Sequence, residues 1–298
     1  MELRDVRTFM AVAQGLSFNR AAEALHTVQS TVSARVANLE RELGVRLFER
    51  LGRRVALTEA GRRLQEFARK LLDLEDEARS WVAGESEARG TLTIRVPETL
   101  CTFRMPGVLR RFRRRFPNVG LFLTTCALEG LDKDLRRGVT DVAFLFADSV
   151  AAGDVTVEAL GSESLLLVVS PAHRLASLPE VAPDDLRDEP LLVSRVDCSY
   201  RRMFERLLKD EGVRCGAGLE FSSVAGLKSC LAGGLGVAVL PETSVRGELA
   251  AGRLKALPWS GGDLETAVLM LRHKDKWLSP TLEAFMETAR EEWAGTTS

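Results

Sequence analysis

The feature that most constrains this chain is a pair of short amphipathic segments between Ser17 and Thr58, whose apolar residues are spaced for two crossing helices. Phe18, Ala21, Ala22 and Leu25 share one face of the first, and the adjacent alanines let a second helix cross at close range. Val32, Val36, Leu39 and Leu43 then recur at helical intervals, which predicts one buried stripe on the second. What this pattern leaves outside is polar. Gln29, Ser30, Thr31, Ser33 and Arg35 gather at the N-terminal end of the second segment, where a recognition helix presents side chains to base edges in the major groove. Glutamine pairs bidentately with adenine, arginine with guanine, and small hydroxyls adapt to either.

Leu47-Phe48-Glu49-Arg50 and Val55-Ala56-Leu57-Thr58 read as two short strands around Leu51-Gly52-Arg53-Arg54. An arginine pair alone is an ordinary solvated turn. Directly after a helix-turn-helix, Arg53 and Arg54 form the tip of a wing that can straddle a phosphate backbone or enter a minor groove.

Ser17-Phe18 with Ala21-Ala22, then Leu25, Gln29, Val32-Ser33, Leu39-Glu40, Leu43-Gly44, Leu47-Phe48 and Leu57-Thr58 with Ala60-Gly61 match the LysR-type transcriptional regulators in order and spacing. The chain resembles that family over nearly its whole length, most closely up to Gly61. It departs at Ser30, where the family usually has proline, and at Ala34, where many members have arginine, with Arg35 following. The resemblance implies a ligand-responsive DNA-binding regulator, assembled as a dimer of dimers, with RNA polymerase as a further partner.

Net charge is only −1, but it is unevenly divided: residues 1 to 72 hold 13 Lys and Arg against 8 Asp and Glu, the remainder 28 against 34. Positive charge is concentrated where phosphate would be met. The absence of an N-terminal apolar run, and of any uninterrupted apolar stretch of about eighteen residues, predicts a cytoplasmic protein with no membrane partner.

From Thr58, a fair helix N-cap, Leu64, Phe67, Leu71, Leu74, Ala78 and Trp81 recur at intervals of three and four. That spacing predicts a dimerising seam on a helix longer than a small winged domain can cover. Residues 84 to 90 then close it as a polar, glycine-bounded hinge.

The remaining two-thirds alternates strand-like and helix-like segments, which predicts an α/β domain with largely parallel sheets. Strands are expected at 91–96, 120–125, 141–146, 165–169, 191–194, 219–221, 237–240 and 267–271, and helices at 103–116, 128–137, 200–211, 224–232 and 281–293. The expected organisation is α/β overall. An all-α winged helix-turn-helix spans 1–58 and a linker helix with hinge 59–90. A two-lobed effector domain spans 91–298, with lobe I at 91–163 and 266–298 and lobe II at 164–265. By resemblance the last is like periplasmic solute-binding proteins and holds a small effector between its lobes; Arg137-Gly138 to Phe144 and Ala232 to Pro241 match the family there.

Ligands of open α/β sheets collect beyond strand carboxyl ends, beside helix N-termini that favour anions. Three such junctions are polar: Pro97-Glu98-Thr99, Thr125-Cys126-Ala127 and Asp197-Cys198-Ser199-Tyr200. Each alone is ordinary helix capping. Their convergence on one cleft makes Thr99, Thr125, Cys126, Cys198, Ser199 and Tyr200 the candidate effector site.

Cys101, Cys126, Cys198, Cys215 and Cys230 show no metal-ligand spacing, so no metal is expected. Some relatives sense peroxide through a cysteine pair, which leaves a thiol redox sensor of the same fold as the alternative; here a bond between Cys198 and Cys215 would require the helix between them to unravel. H-E-x-x-H, G-x-S-x-G and Walker patterns are absent, and the three histidines are scattered. His26 is placed in the turn of the DNA-binding unit, and Gly233 to Gly236 reads as a helix-to-strand turn. No catalytic residue or cofactor is expected. An enzyme or solute carrier on a binding-protein fold leaves the basic module unexplained, and a purely architectural DNA protein leaves the α/β domain without a task.

Overall fold

The computed structural model describes residues 1–51, 54–83, 90–125, 130–147, 150, 153–195 and 198–295, with the side chains of residues 50, 51, 54, 66, 73, 76, 77, 79–83, 198 and 199 left out. The chain forms two compact units, Met1–Thr91 with Asn118–Gly120, and Leu92–Pro117 with Leu121–Ser298. Among the described residues no helix is long and apolar enough to cross a membrane.

The first unit opens with α1 (Leu3–Gly15), a helix the sequence reading passed over although Val6, Phe9, Met10 and Ala13 fall on one helical face. The expected pair follows as α2 (Phe18–Ala24) and α3 (Gln29–Leu43), with His26 left-handed (φ 49°) in the turn between them. Ser17 caps α2, its side chain accepting the Arg20 N–H. Val6, Phe9, Val32, Val36, Leu39 and Leu47 make the core, and Phe18 packs half-buried against it. Leu43 corrects the expected stripe. It is 40 % exposed, because α3 runs one turn past Leu39 and stops at Gly44 (φ 69°).

The wing is β1 (Phe48–Leu51) paired antiparallel with β2 (Arg54–Leu57), Phe48 opposite Leu57 and Leu51 opposite Arg54. The residues between them, Gly52 and Arg53, lie outside the described residues. Glu40 of α3 fixes the wing's foot, its carboxylate accepting the Leu47 N–H at 2.8 Å and the Phe48 N–H at 3.3 Å. Thr58 caps α4 (Glu59–Ala83) by accepting the Gly61 N–H at 3.0 Å. A Cβ on Gly61 would overlap the Leu47 carbonyl oxygen, so α4 crosses the wing where only glycine fits. α4 has two apolar faces. Ala60, Leu64, Ala68 and Leu72 pack on the core of the unit itself, which moves Leu64 out of the purely outward seam expected for it. Phe67 and Leu74 are 38 % and 51 % exposed, Ala78 is exposed and Leu71 half-buried. The Trp81 side chain lies outside the described residues.

Beyond α4 the chain runs β3 (Gly90–Val96), α5 (Glu98–Phe103), α6 (Met105–Arg115), β4 (Val119–Thr125), α7 (Leu131–Arg136), β5 (Val142–Phe146) and β6 (Val155–Val169), the second unit taking all but the first residues of β3 and β4. It continues through two 3-10 turns to β7 (Pro190–Ser194), α8 (Cys198–Asp210), β8 (Gly216–Phe221), α9 (Val224–Ala232) and β9 (Ala238–Pro241). The chain finishes with α10 (Glu242–Ala250), β10 (Lys255–Ala256), β11 (Glu265–His273) and α11 (Pro280–Ala294). The expected helix from Phe103 to Phe116 is α6, and the separate α5 before it was not expected. Pro106 cannot donate to the preceding turn, so α5 stops at Phe103 and α6 starts at Met105.

One seven-stranded sheet has the order β10-β6-β11-β5-β3-β4, with β9 also on β6; β7 and β8 form a parallel pair joined to the Val237 backbone. The expected strand from Leu165 is the far half of β6. Its near half pairs with β11, and the strand then passes to β9 and β10, so it belongs to both lobes. The expected lobe boundaries fall on neighbouring rungs of this ladder, Glu163 opposite Thr266 and Ser164 opposite Glu265. Lobe I is cored by Ile94, Phe112, Phe144 and Phe285, with Trp293 stacked on Phe144 at 5.6 Å. Lobe II is cored by Val168, Leu192, Leu227, Leu231, Ala238, Leu240, Val245 and Leu254. α10, unread in the sequence, buries only Ser244 and Val245 among its residues and so shows little periodicity.

Candidate functional site

Two surfaces carry the candidate chemistry. On the first unit, burial of Val32, Val36 and Leu39 turns the opposite face of α3 outward. Gln29 and Ser30 are exposed, and Thr31, Ser33 and Arg35 half-exposed, all within the first two turns. The Gln29 amide donates to the Ser33 hydroxyl at 2.8 Å, so the two expected base readers hold each other. Arg35 makes no ion pair among the described residues. Sequence reasoning missed Val28, the extended residue before α3, which is 63 % exposed and offers an apolar contact of the kind a thymine methyl takes. Arg54 opens β2 with its side chain outside the described residues, as is the whole of Arg53.

On the second unit, β3 and β5 run parallel, so Val96 and Phe146 end at one edge of the sheet. Thr99 lies just beyond β3 in the first turn of α5, 1 % exposed. Tyr200 stands in the first turn of α8 in lobe II, 3 % exposed, and meets Phe146 of lobe I edge-on with ring centroids 5.8 Å apart. The two lobes therefore meet where the strand end at Phe146 touches the first turn of α8. Phe146, unremarked in the sequence, was detectable as the last residue of an apolar run that ends at this edge. Thr125 is the exposed last residue of β4, beside β3 in the sheet. Cys126 lies outside the described residues. Cys198 and Ser199 are the first two residues of α8, with side chains outside the described residues, so Cys198 belongs to the helix rather than flanking it.

α5 and the Arg104 that follows it also reach lobe II, the last through Glu163 at the lobe boundary, by contacts that sequence reasoning did not foresee. The Glu98 carboxylate accepts the Val224 N–H, Phe103 lies under the Lys228 ammonium at 5.8 Å, and Arg104 pairs with buried Glu163 at 3.2 Å. Glu163 in turn accepts the Thr243 N–H at 3.2 Å. The partners are far apart in the chain, so no local pattern marks them.

Two of the described cysteines are shifted away from reactivity. Burial pushes the Cys101 thiol up, with Glu98 adding to it. Burial pushes up Cys215 as well, with Glu189 and Glu205 adding. A reactive thiol needs the opposite shift.

Comparison with known proteins covers both surfaces. The family described as "Bacterial regulatory helix-turn-helix protein, lysR family" matches residues 3–62, and "LysR substrate binding domain" matches residues 85–294. The HTH-type transcriptional regulator YwqM of Bacillus subtilis is 36 % identical over 292 residues, 98 % of this chain and 99 % of that one. A full-length OxyR point variant from Pseudomonas aeruginosa is 26 % identical with a TM-score of 0.69, covering 98 % of this chain and 94 % of the other. CbnR complexed with its target DNA shares the fold at 24 % identity and a TM-score of 0.68, covering 98 % and 100 %.

Proposed function

Because this chain belongs to the LysR family of bacterial helix-turn-helix regulators, we propose that it reads a pseudo-palindromic operator as a dimer of dimers and is switched by a small effector held between its two lobes. The family premise makes it a transcriptional regulator with an effector-binding domain, not an enzyme. On α3, Gln29 and Ser33 read base edges with Ser30, Thr31 and Arg35 beside them, and Arg53 and Arg54 of the wing meet the backbone. The exposed Phe67, Leu74 and Ala78 of α4 are covered by the same helix of a second copy. RNA polymerase is a further partner of the assembled regulator.

The observation that carries the effector reading is the cross-cleft arrangement of buried Thr99 and the Tyr200–Phe146 pair, where two lobes meet at strand carboxyl ends. An effector can bias the lobes only by its differential affinity for their arrangements, typically about 1–3 kcal/mol. The test is a mobility shift with and without metabolite pools, with co-purified molecules identified by mass spectrometry. Thr99→Val nearly preserves volume, so it is expected to abolish the effector response and spare operator binding. A footprint from this variant that still changes at wild-type effector concentrations removes Thr99 from the site. The thiol-sensor alternative finds no support in Cys101 or Cys215, both shifted away from reactivity.

A further inference from the structure

At the wall where α5 faces α9, a carboxylate already sits on the helix N-terminus. Glu98 belongs to lobe I and opens α5; both its oxygens lie within hydrogen-bond distance of the Val224 N–H in lobe II, at 3.2 and 3.3 Å. Ser223 caps the same helix on the Gly226 N–H. The place where a metabolite carboxylate would be received by α9 is thus filled from across the cleft by the protein itself.

The cations around this wall do not balance that charge. Lys228, one turn further along α9, pairs with Glu248 at 2.9 Å and donates to the Ser244 carbonyl at 2.7 Å. Arg104 is taken by Glu163. Among the described residues Glu98 has no cationic partner. Its carboxylate offers about four lone-pair positions, and a single amide N–H cannot fill them. A second carboxylate brought here would have to dislodge Glu98 and then remain beside a like charge. Glu98 is half-exposed, so water serves its remaining lone pairs, and an ammonium or guanidinium would replace that water and pair with the charge.

We propose that Glu98 is the specificity-determining residue of the effector cleft, selecting an effector that presents an amine or guanidinium to the α5–α9 wall and rejecting one that presents a carboxylate there. This rests on the reading of the cleft as the effector site. The role differs from that expected of Thr99 and Ser199, which favour polar or anionic groups elsewhere in the cleft. An effector meeting both is cationic at one end and polar at the other.

Cys101 supplies an internal probe, since it lies three residues from Glu98 on α5 and is half-buried within reach of the Glu98 charge. The full-length protein is treated with a methanethiosulfonate bearing trimethylammonium and, separately, with one bearing sulfonate. Cys101 labelling is then followed by peptide mass spectrometry. Glu98→Gln keeps an acceptor for Val224, so the fold is retained. The ratio of cationic to anionic labelling rates is expected to fall about tenfold in this variant, and a thiol pKa change cancels in the ratio. An unchanged ratio overturns the proposal. In a second arm, putrescine and agmatine are compared with succinate and adipate for thermal stabilisation. A dicarboxylate that stabilises the wild type but not Thr99→Val also overturns it. If the labelling ratio falls as expected while diamine stabilisation survives Thr99→Val, the charge preference stands and the cleft reading fails.

Discussion

Replacing Glu40 by alanine is expected to detach the wing from the recognition helix without touching any DNA-facing side chain. The Glu40 side chain is 11 % exposed, and its outer oxygen pairs with Arg46, which is 83 % exposed and so contributes little. The cost lies in the amides: Leu47 is 1 % exposed and its N–H has Glu40 as its acceptor at 2.8 Å, with the Phe48 N–H sharing that oxygen at 3.3 Å. Stranding a buried donor costs about 1–3 kcal/mol, and the longer bond counts for less, so Glu40→Ala should cost about 2–4 kcal/mol locally. Glu40→Gln retains an acceptor and should cost about 1 kcal/mol. Hydrogen exchange over residues 45–49 reads this directly, because the alanine cost corresponds to roughly 30- to 700-fold faster opening. DNA affinity should fall with it, as the wing loses its register on the groove-reading helix. Exchange within about threefold of wild type in Glu40→Ala, or equal damage from Glu40→Gln, would refute the reasoning.

Three further outcomes are expected. Gln29→Ala should relax base preference at particular operator positions by about 1–3 kcal/mol, and equal losses on operator and random DNA in a titration would remove Gln29 from base reading. Phe67→Asp with Leu74→Asp places charge on the exposed apolar face of α4 and should shift sedimentation towards monomer, whereas an unchanged oligomer would mean the assembly uses another surface. Burial alone would raise the Glu248 carboxyl, but the hydrogen bond and charge of Lys228, a backbone hydrogen bond and the charge of Arg253 together outweigh it and hold the group below its ordinary range. Its stabilisation is therefore complete above about pH 4.3 and lost as pH falls through the lower folded value, so the difference in melting temperature between wild type and Glu248→Gln should shrink in that window; a constant difference from pH 7 to pH 3 would contradict the sign.

The helix-turn-helix was legible because its core is local: Ala21, Val32 and Leu39 sit at helical spacing, and the turn at His26 interrupts the pattern where α3 restarts. The Gly233 to Gly236 turn was legible for the same reason, with Gly234 left-handed and Gly236 pressed against the Pro190 carbonyl oxygen. β6 was half-read because only its far half is a continuous apolar run; the near half is half-exposed, alternating Val155, Val157 and Ala159 with Thr156 and Glu158. Leu64 fits the spacing of the expected seam yet packs on the unit's own core, and spacing alone cannot assign a residue to one partner. Least legible were Glu40, Glu98 and Glu163. A carboxylate on a helix or strand reads as a solvated charge until its distant backbone partner is known, and Glu98 reaches an amide 126 residues away.

The contact between Gly61 and the Leu47 carbonyl has a mechanical consequence. With no side chain to act as a cushion, the root of α4 is seated directly on the wing, and Thr58 closes the joint from the other side. A 25-residue helix is about 37 Å long, so it behaves as a lever whose fulcrum lies beside the DNA-reading surface. A tilt of about 10° applied at its far end corresponds to a travel of ~6 Å there, close to two base-pair rises of roughly 3.4 Å each. Little of that motion can be absorbed at the joint, so a modest torque on the distal end arrives at the groove as a change of reading angle.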